Sequence, residues 1–87
     1  MHIKVILYGD VHGVFCRQGI KENAEILGLK GYARNLKDGT VEAVFEGGKE
    51  RIDKMILFCK KGPGHASVDS IKVVEGKEEG FGDFKII

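Results

Sequence analysis

A chain of 87 residues is short enough for one domain and long enough for one modest core, so residues 1–87 are expected to fold as a single unit. Its hydrophobic and charged shares, 43% and 31%, are those of a globular protein and exclude a disordered tail. A net charge of +1, with acids and bases interspersed, excludes a broad polyanion-binding surface, so any anion site must be local.

In chain order, His2 to Tyr8 predicts a strand, with Ile3, Val5 and Leu7 alternating with His2, Lys4 and Ile6. A polar, glycine-bearing turn follows in the stretch "GDVHGVFCRQG", Gly9 to Gly19. A helix is predicted from about Cys16 to Leu27, because Ile20, Ala24 and Leu27 recur at helical spacing and Gly28 suits a helix end. "KGYARNL" and "TVEAVFEG" predict two strands joined through the turn dipeptide Asp38-Gly39, the second with Val41, Ala43 and Phe45 on one covered face. Ile52, Met55, Ile56 and Cys59 make the apolar stripe of a second helix over Lys49 to Lys61. The sole proline, Pro63, marks the loop "KKGPGH"; "SVDSIKVVEG" then predicts a strand, "EGKEEG" a solvated hairpin and "FGDFKII" a short terminal strand. The order is strand, helix, strand, strand, helix, strand, strand. One sheet with both helices on one face buries these stripes most simply, an α+β sandwich.

Cys16 and Cys59 lie far apart, without a CxxC pair or histidines at finger spacing, which speaks against a structural zinc site; two cysteines are also few for a disulfide-stapled domain. No metal and no cofactor is expected. The apolar run of the first strand is too short for a signal peptide and nothing approaches a membrane span, so a cytoplasmic protein without membrane partners is expected.

The turn after the first strand is the candidate site. A strand entering a helix through such a turn leaves the first helical N–H groups without partners, at the positive end of the helix dipole. Arg17, in the first helical turn, can place its planar guanidinium over the same point and grip two phosphoryl oxygens. The plain alternative is an ordinary connection with an exposed arginine. "GDVHGVFCR" lacks the lysine-hydroxyl pair of a Walker loop, and Cys16 directly precedes Arg17, which leaves no cysteine-phosphatase loop between them. Cys16 is therefore expected as a small buried filler and His12 as a solvated loop residue. His2 and His65 show no partner in the sequence, and Arg34 is expected as a strand-surface charge.

Four stretches, "GDVHGVFCR", "AEILGLKGYARNLKDGTVEA", "KKGPGHASV" and "FKII", together resemble the acylphosphatase family, in order and spacing, over nearly the whole chain. The resemblance implies a ferredoxin-like α/β sandwich, βαββαβ plus a short C-terminal strand, with a mostly antiparallel sheet. It implies metal-independent hydrolysis of small-molecule acyl phosphates, with inorganic phosphate or a similar anion able to occupy the site. By position, Arg17 matches the family's phosphate-binding arginine and Asn35 the asparagine that positions water; the backbone N–H groups of His12, Gly13, Val14, Phe15, Cys16 and Arg17 would form the cradle. Two positions depart: His12 replaces the usual glutamine and Cys16 the usual phenylalanine, with Phe15 next door as a possible filler of the gap.

The rival expectation is a non-catalytic ferredoxin-like module binding an anion, a metabolite or RNA. "KGYA" at Lys30 to Ala33 copies the start of an RNA-recognition strand, but "RNLK" follows instead of further aromatics and the net charge is near zero, so no nucleic-acid partner is expected. A monomer is the natural state for this size.

Overall fold

In the computed structural model, which describes residues 1–87, the chain runs β1 (His2–Asp10), α1 (Cys16–Ile26), β2 (Lys30–Asn35), β3 (Val41–Glu46), α2 (Lys49–Lys61), β4 (Ser67–Gly76) and β5 (Phe84–Ile86). The strands form one sheet in the order β4-β1-β3-β2-β5, antiparallel throughout except for the parallel β2–β5 pair. This is the predicted ferredoxin-like order. β1 outruns its predicted end by two residues because its pairing with β4 continues past an irregularity at Tyr8/Gly9, where Gly9 faces Val68 and Asp10 faces Ser67.

Alternation decides what each face buries. Ile3, Val5 and Leu7 of β1 and Val41, Ala43 and Phe45 of β3 point to the helical layer, where they meet Ile20 and Ala24 of α1 and Ile52 and Met55 of α2. α1 lies over β2 and β5, α2 over β4. Phe84 anchors the short last strand by stacking on Phe45, ring centroids 5.6 Å apart. Each such large side chain contributes about 1.5–3 kcal/mol on burial. α1 ends in a Schellman arrangement, with Gly28 N–H donating to the Glu25 carbonyl and Leu29 N–H to that of Ala24.

The opposite face corrects three expectations. β3 is buried along its whole length, not on one side only, because it is the central strand and its acidic residues are covered too. Glu42 accepts from Arg34 Nε at 2.7 Å and Tyr32 Oη at 3.0 Å, so Arg34 is the exposed strand charge that was expected and is ion-paired as well. Burial pushes the Glu42 carboxyl up, but those two donors and the nearby Lys4 outweigh it and hold the group below its usual range. His2 is buried and has a partner after all: its Nδ1 lies 2.6 Å from Glu46 Oε2 and donates to it, since a carboxylate only accepts. The "EGKEEG" run is no hairpin, for β4 and β5 stand at opposite edges of the sheet. The connection crosses the face instead, and the backbone N–H groups of Glu79, Gly80 and Phe81 all donate to the Glu46 carboxylate.

Glu46 is thus the clasp of the segment that delivers β5. Burial raises its pKa, but the His2 bond and the three amides prevail and bring it to about 2, from an ordinary 4.5. A carboxyl with a depressed folded pKa stabilises the fold above its unfolded pKa and loses that contribution as pH falls through the folded one. Wild type should therefore lose stability relative to Glu46→Gln between about pH 4.5 and pH 2, measured as the difference between their urea midpoints. Parallel pH curves for the two proteins would refute the clasp.

Candidate active site

β1, β2 and β5 all run toward one end of the sheet, and β3 begins there. At that end the 11–15 loop joins β1 to α1. A pocket of about 290 Å³ opens beside it, lined by Val11, Gly13, Phe15, Cys16, Arg17, Gln18 and Ile86.

Two of the loop's carbonyls are committed, and its amides from His12 on are not. Val14 C=O accepts from His65 N–H at 2.8 Å, and Phe15 C=O from Gly19 N–H at 2.9 Å. By contrast, the N–H groups of His12, Gly13, Val14, Phe15, Cys16 and Arg17 donate to no carbonyl or side chain of the protein. Gly13 (φ 69°) and Phe15 (φ 58°) adopt the left-handed conformation, which turns consecutive peptides and makes a concave row of donors possible. The GPG turn presses on this loop from behind. Gly64 has φ 61°, and a side chain there would strike the Phe15 and Val14 carbonyl oxygens.

Electrostatics agree with an anion site. α1 has no acidic residue in its first turn and no side-chain N-cap, so the positive end of its dipole is uncompensated. Arg17 adds a cation to that end, and its guanidinium pairs with no carboxylate in the protein. α2 shows the usual pattern, with Glu50 in its first turn and Lys60 and Lys61 in its last. The contrast isolates α1 as a helix whose start suits a bound anion.

Cys16 is the buried filler that was expected. Burial pushes its thiol up to about 11 despite the neighbouring Arg17, so it is a protonated thiol near neutral pH rather than a nucleophile. Phe15 does not fill the space a bulkier residue would take at position 16: it is 71% exposed and meets the His65 ring edge-on, centroids 5.9 Å apart. His12 is half-buried and bonded rather than only solvated. Its Nε2 donates to the Thr40 carbonyl at 2.8 Å, and Thr40 itself holds Asp38 through N–H and Oγ1 bonds of 3.0 and 2.6 Å. The loop is thereby tied to the turn that follows Asn35.

Asn35 does not line the pocket. It ends β2 at the same end of the sheet, level with Val41 on β3 and Leu7 on β1, which puts it two strand spacings, roughly 10 Å, across from β1. Residues two apart on a strand share a face, so Asn35 follows the buried Ala33 toward the helical layer, where α1 and Arg17 lie. Its side chain bonds no other residue. Sequence reasoning missed Val11, Gln18 and Ile86 as lining residues, the His12–Thr40 link and the part played by Gly64 and His65. The quoted "KKGPGHASV" and "FKII" carried the signal, but only folding brings them to the loop.

Comparison with known proteins agrees. A profile of the acylphosphatase family matches residues 3–86. An acylphosphatase of Rubrobacter xylanophilus is 45% identical over 78 residues, which cover 90% of this chain and 71% of that protein. The crystal structure of an acylphosphatase from Bacillus subtilis superimposes with a TM-score of 0.94 at 29% identity, covering 99% of this chain and 97% of the other. An acylphosphatase structure from Coxiella burnetii also gives 0.94, at 34% identity, with coverages of 99% and 90%.

The contact behind the loop is open to a direct check. Gly64→Ala puts a methyl group against the Phe15 carbonyl at a positive φ, and should cost about 1–3 kcal/mol in urea unfolding. An unchanged midpoint would mean that the GPG turn does not brace the loop.

Proposed function

The chain belongs to the acylphosphatase family and is an enzyme that hydrolyses acyl phosphates, and we propose that Arg17, the loop amides and Asn35 divide that work between them. The observation that carries the proposal is the run of unpaired N–H groups from His12 to Arg17 beside an unpaired guanidinium at a helix start.

In this proposal the phosphoryl oxygens sit on the amides of His12, Gly13, Val14, Phe15, Cys16 and Arg17, with the Arg17 fork across two of them. Such donors are fixed before substrate arrives, so they stabilise charge on the transferring group without reorganising. Water attacks phosphorus in line. A new P–O bond forms while the bond to the acyl oxygen breaks, and its electron pair leaves with the carboxylate. The conjugate acid of that leaving group has a pKa of about 4, so it departs as an anion at neutral pH and needs neither a general acid nor a metal to escort it. The Asn35 carboxamide oxygen accepts one hydrogen bond from the water and sets its direction. An amide is too weak a base to take the proton, which passes to a phosphoryl oxygen; carboxylate and inorganic phosphate are the products.

The two side chains should separate cleanly in kinetics. Arg17→Ala should abolish both benzoyl phosphate turnover and the binding of inorganic phosphate, the latter read by direct titration of the protein. Asn35→Ala should leave phosphate binding intact and lower kcat about a hundredfold, the equivalent of about 3 kcal/mol. Full turnover in Asn35→Ala would remove that residue from the mechanism, and phosphate binding undiminished in Arg17→Ala would remove the arginine.

A further inference from the structure

Phe15 is an outlier in two respects. A large aromatic side chain stands 71% exposed, and it does so at φ 58°, a conformation that costs a residue other than glycine, asparagine or aspartate of the order of 1 kcal/mol. Folding does not ask for it, because the ring is outside the core cluster. Its one aromatic contact, the edge of His65, fixes the ring's orientation rather than covering it. The ring lines the pocket that holds Arg17, and Ile86 of β5, 36% exposed, lines it as well. No carboxylate and no lysine lines it; beside Arg17 the only polar side chain is Gln18.

A phosphoryl group seated on the loop amides takes the arginine for itself. Whatever acyl group it carries shares a pocket of only about 290 Å³ and meets apolar surface there. We propose that Phe15 and Ile86 form an acyl-binding wall, so that the enzyme favours acyl phosphates whose acyl part is an extended apolar chain or ring over those with a short acyl part. This rests on the placement of the phosphoryl group proposed above. A bound chain would cover part of both side chains, and apolar area removed from water contributes about 25 cal/mol per Å².

The test compares acetyl phosphate with hexanoyl phosphate, whose leaving groups have nearly the same acidity, so that a difference reports contacts rather than intrinsic reactivity. In wild type the ratio of kcat/KM, hexanoyl over acetyl, should be about ten and should lie in KM, a half-open wall giving less than an enclosed pocket. Phe15→Asn keeps a residue that tolerates positive φ and keeps the backbone N–H, and should cut that ratio about threefold. Ile86→Thr retains a β-branched strand former and should do the same. Because each measurement is a ratio, a variant that is only partly folded still reads correctly. A wild-type ratio of one, or a ratio unchanged in both variants, would overturn the wall. Turnover of neither compound by wild type would instead overturn the phosphoryl placement, and the wall with it.

Discussion

Two backbone hydrogen bonds, His65 N–H to the Val14 carbonyl and Gly19 N–H to the Phe15 carbonyl, make the site possible. A peptide group has one donor and one acceptor, and in a folded chain both normally find partners in the protein or in water. Here the acceptors are satisfied from behind by the GPG turn and by the helix itself, and the donors are left over. An uncompensated row of amides is unfavourable in an empty protein, as is a guanidinium at the positive end of α1. Both become favourable when an anion is present. Binding of a phosphoryl group there, as proposed, would partly relieve a charge arrangement that the fold imposes at a standing cost.

That cost has to be met where the chain does not need to bind anything. The open face of the sheet carries two buried carboxylates, Glu42 and Glu46, each surrounded by enough donors that no buried side-chain oxygen or nitrogen lacks a partner. Removing one partner of such a group leaves the rest desolvated and unpaired, which is why buried ionic clasps are costly to break even where they add little when intact. Glu46 in particular fixes the 77–83 crossing, and the crossing fixes β5. Through Ile86 that strand reaches the pocket at the far end of the sheet. A carboxylate on the face without helices thus helps hold the segment that leads into β5, alongside the Phe84–Phe45 stack and the pairing with β2.

How much of this the residues disclosed beforehand depends on the range of the interaction. Local patterns were legible: the period-2 alternation of β1, the stripes of both helices and the Asp38-Gly39 turn all appear where expected, since each is decided by neighbours within a few residues. The position of Arg17 in the first turn of α1 was legible for the same reason. Burial of Glu42, Glu46 and His2 was not. Charged residues alternating with apolar ones normally face water, and only the strand order reveals that β3 is central and that a distant loop folds over it. His12 was misjudged likewise, because its acceptor lies 28 residues away in sequence. The hairpin expected at "EGKEEG" failed on topology alone, since two strands adjacent in sequence lie at opposite edges of the sheet.

The placement of Cys16 and Phe15 shows why adjacent residues need not substitute for each other. In a helix start, position 16 points into the core and position 15 caps the end, so their side chains leave in different directions whatever their size. The small thiol of Cys16 is buried in the core cluster, while the neighbouring aromatic ring of Phe15 stands in the pocket lining. Phosphoryl binding by main-chain amides, as proposed, would be indifferent to that exchange, because every residue but proline brings the same N–H. What the exchange would alter is the surface offered to the leaving group. A cradle built from backbone, as proposed, would keep its chemistry fixed while single side chains at its rim changed the surface offered to the acyl part, and in this chain Phe15 and Ile86 stand in that lining.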